Sequence, residues 1–161
     1  MEWVDIGLNL GHRSFERDRD ELMGRALEAG VARALLTGTS VAESRLAVEL
    51  ARRYPGCRAT AGVHPHDVLR CDDGTIAELE ALLPLPEVVA VGECGLDFNR
   101  DFSPRPLQED WFQRQLQLAA QYQMPLFLHE RDAFPRFADI LQEVLPQTPG
   151  AVVHCFTGSE E

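Results

Sequence analysis

The 161-residue sequence predicts an α/β fold and, within that class, a TIM-type (β/α)8 barrel of which about six of the eight βα units are present. Short apolar runs alternate with amphipathic, helix-like stretches, the pattern of right-handed βαβ units. Those runs are continuously apolar, as expected of parallel strands covered on both faces. Polar residues also follow strand after strand at one end: Asn9, His64, Glu93, His129 and His154. A doubly wound open sheet would concentrate ligands at a single switch point, so this repetition favours a barrel. A complete barrel typically takes about 250 residues, and residues 1–161 therefore read as a single incomplete barrel domain.

The elements follow in order. Residues 4–8 form a first strand. Residues 18–29 form a helix with Leu22, Met23, Ala26 and Leu27 at helical spacing, and Gly30 stands where a helix C-cap is expected. A second strand covers 34–38, and a helix over 41–54 stops before Pro55-Gly56. A third strand covers 58–63 and leads into the loop His64-Pro65-His66-Asp67. Residues 75–83 read as a helix with Thr75 as N-cap and Glu78 completing a capping box. Strand four covers 87–92. A long helix over 107–123 turns Phe112, Leu116, Ala119 and Ala120 inward. Strand five (126–128), a helix (133–144) and strand six (151–153) complete the pattern.

Composition excludes several function classes. A hydrophobic content of 45% with 15 basic and 26 acidic residues describes a globular chain. The net charge of −11 argues against broad electrostatic adhesion to nucleic acid, which needs clustered cations. It leaves room for a phosphodiester held by metal ions in one cleft. No run approaches the roughly 20 apolar residues of a membrane span, so no membrane association is expected. The N-terminus has neither a basic leader nor a hydrophobic signal core, which makes the cytoplasm the expected location. Cys57, Cys71, Cys94 and Cys155 show no CxxC spacing, so reduced thiols are expected. Cys94 and Cys155 directly follow Glu93 and His154. Strand alternation should turn them toward the helices as small buried hydrophobes.

The candidate chemistry sits where three apolar runs stop: Val88-Val89-Ala90-Val91-Gly92-Glu93, Pro125-Leu126-Phe127-Leu128-His129 and Ala151-Val152-Val153-His154. Their last residues are separated by 129 − 93 = 36 and 154 − 129 = 25 positions, plausible strand-to-strand intervals. Glu and neutral His are ordinary ligands of a divalent ion. His64 and His66 can bind metal, grip phosphate or move protons, or simply belong to a rigid turn with a capping Asp67. Asp97 can be a ligand or a helix cap. Arg131 can offer a bidentate phosphate contact or pair locally with Asp132.

Three motifs carry a resemblance: Gly62-Val63-His64-Pro65-His66-Asp67, Val91-Gly92-Glu93-Cys94-Gly95-Leu96-Asp97-Phe98 and Val153-His154-Cys155-Phe156-Thr157-Gly158-Ser159. Together with Pro125-Leu126-Phe127-Leu128-His129 and Arg131-Asp132-Ala133 they resemble the TatD family of metal-dependent deoxyribonucleases, from Val4 to the last residue. The opening Asp5-Ile6-Gly7-Leu8-Asn9-Leu10 looks like one particular branch of it. The resemblance implies a barrel of the metal-dependent hydrolase type and magnesium-dependent 3′–5′ exonuclease action on single-stranded DNA, with a role in DNA repair or degradation. It further implies metal ligation by Glu93, His129 and His154 and an active-site role for His64 and His66. Two departures stand out. Many relatives carry a His-x-His pair where this chain reads Asn9-Leu10-Gly11, and a later acidic ligand in a Glu-Thr-Asp motif has no counterpart before Glu161.

A divalent ion at these residues would activate water and polarise a phosphoryl oxygen, with Arg131 helping to hold phosphate. The resemblance points to Mg2+, whereas two imidazoles and a carboxylate suit Mn2+ or Zn2+ equally well on ligand softness. Single-stranded DNA is the expected partner, and a monomer the expected state of a full-length protein. A truncated chain with open sheet edges would self-associate and could be an inactive fragment. A third alternative keeps the site and changes the substrate to D-aminoacyl-tRNA.

Overall fold

The computed structural model describes residues 1–157, so Gly158-Ser159 of the third motif lie outside the described residues. Six strands run β1 (Trp3–Leu8), β2 (Val31–Leu36), β3 (Cys57–Ala61), β4 (Val88–Asp97), β5 (Leu126–Arg131) and β6 (Ala151–His154). Between them lie α1 (Arg19–Glu28), α2 (Val41–Arg53), α3 (Thr75–Glu80), α4 (Arg105–Tyr122) and α5 (Phe134–Val144). Every neighbouring pair is parallel and the spatial order is β1-β2-β3-β4-β5-β6. A doubly wound sheet would reverse direction partway, and this one does not. The sheet also curls: a Cβ on Gly7 of β1 would lie 3.7 Å from the ring of Phe127 on β5. The architecture is an open TIM-type barrel of about six βα units, as the sequence predicts.

The boundaries follow local chemistry. The Ser40 hydroxyl caps α2 by accepting the Glu43 N–H at 3.2 Å, and the helix gives out at Tyr54 before Pro55. Gly30 (φ +91°) follows α1 in a conformation that favours glycine. The capping box at Thr75 is not formed. Gly74 occupies the cap, while the Thr75 hydroxyl donates to Asp72 Oδ1 (3.2 Å) and accepts the Asp72 N–H (3.0 Å). The helix starts where predicted but ends at Glu80, after which Leu82 and Leu83 bond in tighter turns to Leu79 O and Glu80 O. Strand β2 starts three residues earlier than the sequence suggests, because Val31 already pairs with Trp3. Strands β4 and β5 continue past their apolar runs to Asp97 and Arg131, paired residue by residue.

Apolar residues of β2–β5 and α2–α5 make the core, including Leu36, Val48, Val91, Phe112, Leu116 and Leu128. Phe112 and Phe137 stack at 5.1 Å between α4 and α5. The first unit is different: α1 buries none of its residues, and Trp3, Val4 and Ile6 of β1 are exposed. Cys94 is a buried part of the core, as alternation predicts. Cys155 contradicts that expectation. It lies beyond β6 at φ +56°, where alternation no longer applies, and is exposed. Among the described residues no helix is long and apolar enough to cross a membrane.

Candidate active site

Strand β4 builds the centre of the site. Its register with β5 shifts between Gly92 and Cys94, so Glu93 is the extra residue of a bulge, a device that re-aims a side chain. The Glu93 N–H donates to Gly38 O of the β2–α2 loop at 2.8 Å. Glycine is required next to it: at Gly92 (φ +136°) a Cβ would strike the Phe127 backbone. Beyond the bulge, Glu93 and Asp97 are four residues apart and share a face. Gly95 between them (φ +147°) pairs with His129 so closely that a Cβ there would strike the His129 backbone oxygen. Strands β5 and β6 then bring His129 and His154 into direct register.

Six side chains converge. Glu93 Oε1 lies 3.1 Å from His129 Nδ1, 2.5 Å from His154 Nε2 and 3.5 Å from His64 Nε2. Asp97 Oδ2 lies 2.7 Å from His66 Nε2 and 3.3 Å from His129 Nε2. Four of the five histidines in the chain are therefore in one cluster, the His64 and His129 ring centres 4.4 Å apart. The ring of His154 stacks on Phe127 at 4.9 Å. Glu93, His64 and His129 are buried and Asp97 is fully so.

Electrostatics follow from this packing. Burial opposes ionisation of Glu93, but hydrogen bonds from His129, His154 and His64 outweigh it and hold the carboxyl far below its usual range. Asp97 is lowered in the same way, with the Arg100 N–H and His66 overcoming burial. Burial lowers His64 despite the nearby Glu93 carboxylate, which favours a neutral ring. Its Nδ1 accepts the His66 backbone N–H at 3.1 Å. The proton of that neutral ring is thereby fixed on Nε2, pointing toward Glu93.

The cluster fits a cation on donor arithmetic. Both ring nitrogens of His129 face carboxylate oxygens, yet a neutral imidazole has a single N–H. In a neutral ring one contact is therefore acceptor against acceptor, which either a second ring proton or a cation between the two atoms satisfies. Donor atoms of His64, Glu93 and His129 all lie within 4.8 Å of one another. Nitrogen and oxygen ligands about 2.0–2.2 Å from an ion stand at most roughly 4.4 Å apart, so the spacing is close to coordination distance. His154 reaches the same Glu93 oxygen from β6. His64 is geometrically close, but its Nε2 carries the proton and suits a donor better than a ligand.

The sequence-predicted residues Glu93, His64, His66, His129, His154 and Asp97 are all brought together. Asp97 caps a turn rather than a helix, since α4 begins only at Arg105 with Pro104 as its cap. Oδ1 accepts the N–H groups of Asn99 (3.1 Å) and Arg100 (2.8 Å), which turns the chain, while Oδ2 faces the imidazoles. Arg131 follows His129 by two residues and shares its strand face, without touching the cluster. The local Arg131–Asp132 pair is not formed: Asp132 accepts from Asn99 Nδ2 at 2.6 Å, and no ion pair to Arg131 occurs among the described residues. Glu130 was not singled out by its sequence. It is fully buried on the opposite face of β5, and its two oxygens accept the Ala133 N–H (2.8 Å) and the Thr157 N–H (3.1 Å). It stands between His129 and Arg131, past the end of the apolar run, so no local pattern marked it.

Comparison with known proteins places the sequence and the fold in a family. The family model for TatD-related DNases matches residues 4–161. The 3′-5′ ssDNA/RNA exonuclease TatD of Cronobacter turicensis is 55% identical over 157 residues, covering 98% of this chain and 60% of the relative. Its counterpart from Salmonella typhimurium is 54% identical with the same coverage. Among solved structures, the TatD homolog YJJV of Escherichia coli superposes with TM-score 0.88 at 32% identity, covering 98% of this chain and 61% of that one. A TatD family hydrolase from Entamoeba histolytica gives 0.89 at 27% identity, covering 99% and 60%. The chain thus spans about 60% of the length of the curated relatives it matches. The match of that family model over residues 4–161 shows that this chain belongs to the TatD-related DNase family.

Proposed function

We propose that the protein is a divalent-metal-dependent nuclease that removes nucleotides from the 3′ end of single-stranded DNA or RNA. The observation that carries the reading is the convergence of three imidazoles on one oxygen of Glu93. The names of the curated relatives support the substrate class. In this reading Glu93, His129 and His154 hold the cation, Mg2+ by family resemblance, with Mn2+ or Zn2+ compatible with the same donors. When bound, a divalent ion polarises a phosphoryl oxygen and lowers the pKa of water.

The chain's own groups do the rest. Glu93 remains ionised and anchors the cluster. Asp97 orients His66 and His129, fixing which nitrogen each ring presents. His64, with its proton held on Nε2, donates to a phosphoryl oxygen or protonates the departing 3′-oxygen. Arg131 receives a neighbouring phosphate on the same strand face. The test is release of nucleotides from a 3′-labelled single strand by the 161-residue chain with and without Mg2+, alongside Glu93→Gln. Metal-dependent release that is abolished in the variant supports the reading, and full activity in the variant overturns it.

A further inference from the structure

The loop after β4 carries a phenylalanine that the fold does not use. Phe102 is 59% exposed, although phenyl rings gain by leaving water. Its position is enforced from both sides. Upstream, Asp97 Oδ1 binds the Asn99 and Arg100 N–H groups, and Asp101 (φ +47°) pairs with Arg105 at 2.7 Å. Downstream, Ser103 is fully buried: its hydroxyl donates to His66 O at 3.2 Å and its carbonyl accepts from Gln108 Nε2 at 2.8 Å. The ring so held stands 4.8 Å from the His66 ring, inclined at 68°, beside the Asp97–His66 pair. The other exposed phenylalanines at this end, Phe134 and Phe156, lie edge to face against each other at 5.4 Å. Trp3 begins β1 and Tyr122 ends α4, where its hydroxyl donates to Glu80.

Charge narrows what such a ring can serve. At a net charge of −11 the chain offers a polyanion no long-range attraction, so contacts that do not depend on charge gain weight beside the local cation and Arg131. Stacking of a base on an aromatic face is such a contact, and it tolerates any base because every base has a π-face. Inside a duplex both faces of a base are covered by its stacked neighbours, whereas a splayed single strand can offer them. We propose that Phe102 is the stacking platform for a nucleobase next to the reacting phosphodiester, and that it contributes to selection of single strands. The proposal rests on the nuclease reading for its placement, while base stacking itself is measurable without turnover.

The experiment compares the 161-residue chain with its Phe102→Ala and Phe102→Trp variants on a labelled oligothymidylate and on the same strand with abasic 3′-terminal residues. Binding is read by fluorescence anisotropy and cleavage by nucleotide release. Phe102→Ala should raise Kd and KM for the normal strand on the order of tenfold with kcat little changed. On the abasic strand it should change neither, and Phe102→Trp should restore or tighten binding. Unchanged binding of the normal strand by Phe102→Ala overturns the proposal, as does equal weakening on the abasic strand. Wild-type binding that prefers the normal strand through Phe102, without cleavage, overturns the nuclease reading alone and leaves stacking supported. Mn2+ affinity, which does not involve Phe102, should be equal in all three proteins.

Discussion

The two halves of the sheet are built from the same kind of residue and end up in opposite environments. In β3–β5 the strands are sandwiched, with Val91, Leu126 and Leu128 essentially inaccessible and Glu93, Asp97 and His129 buried at the same end. In the first unit Trp3, Val4 and Ile6 of β1 remain in contact with solvent and α1 buries nothing. Alternating βα pattern therefore specifies an element without specifying how well it is held. Most of the cluster belongs to the tightly packed half, and only His154 comes from the more exposed β6. A charge cluster of this density needs rigid strands to stay within hydrogen-bond distance, because a misplaced buried carboxylate is costly.

That contrast can be broken at several points. Phe112→Ala, in the packed half, should cost about 3–5 kcal/mol of unfolding free energy, read by denaturant titration, because Phe112 is 1% exposed and stacked on Phe137. Glu93→Gln should lower Mn2+ affinity more than the roughly 10–100-fold that loss of an outer-shell partner brings, measured calorimetrically. In the unsubstituted protein that affinity should also fall as the solution is acidified, since protons compete with the cation for its ligands. Glu130→Gln should cost about 1–3 kcal/mol, by leaving one of the Ala133 and Thr157 N–H groups facing a donor. Ile6→Ala, in the loosely held half, should stay within about 0.5 kcal/mol. Hydrogen exchange should report the same order, with β1 and α1 losing protection before β4 and β5.

Acid should distinguish the halves too. Glu93 and Asp97 have carboxyls held below their ordinary values of 4.5 and 3.8. A carboxyl lowered by folding contributes stability that is present above its unfolded value and is lost as pH falls. Unfolding free energy of the metal-free protein should thus decline below about pH 4.5, and Glu93→Gln should flatten the decline.

Much of this was legible in residue order. Strand and helix alternation, the apolar runs and the identity of Glu93, His129 and His154 are properties of local pattern, and all six strands occur where such runs were read. Boundaries were less legible. Strands β4 and β5 extend through Glu93 and His129 to Asp97 and Arg131 because pairing with a neighbour, not hydrophobicity, decides where a ladder ends. Thr75 fits a capping box by sequence, but Asp72 competes for its hydroxyl. Cys155 fits a buried strand position until the chain turns at φ +56°.

The sequence by itself determined the class of fold, the end of the sheet at which chemistry sits and the residue types that can hold a cation. These follow from periodicity and from what each side chain can donate. Only the tertiary structure decided that His129 bridges two carboxylates, that Asp97 serves both a turn and the cluster, and that the His66 backbone fixes the proton of His64 on Nε2. Those are relations among strands more than 30 residues apart in part of the set and among backbone groups in the rest. No local pattern encodes them, because convergence depends on register and on a one-residue bulge at Glu93.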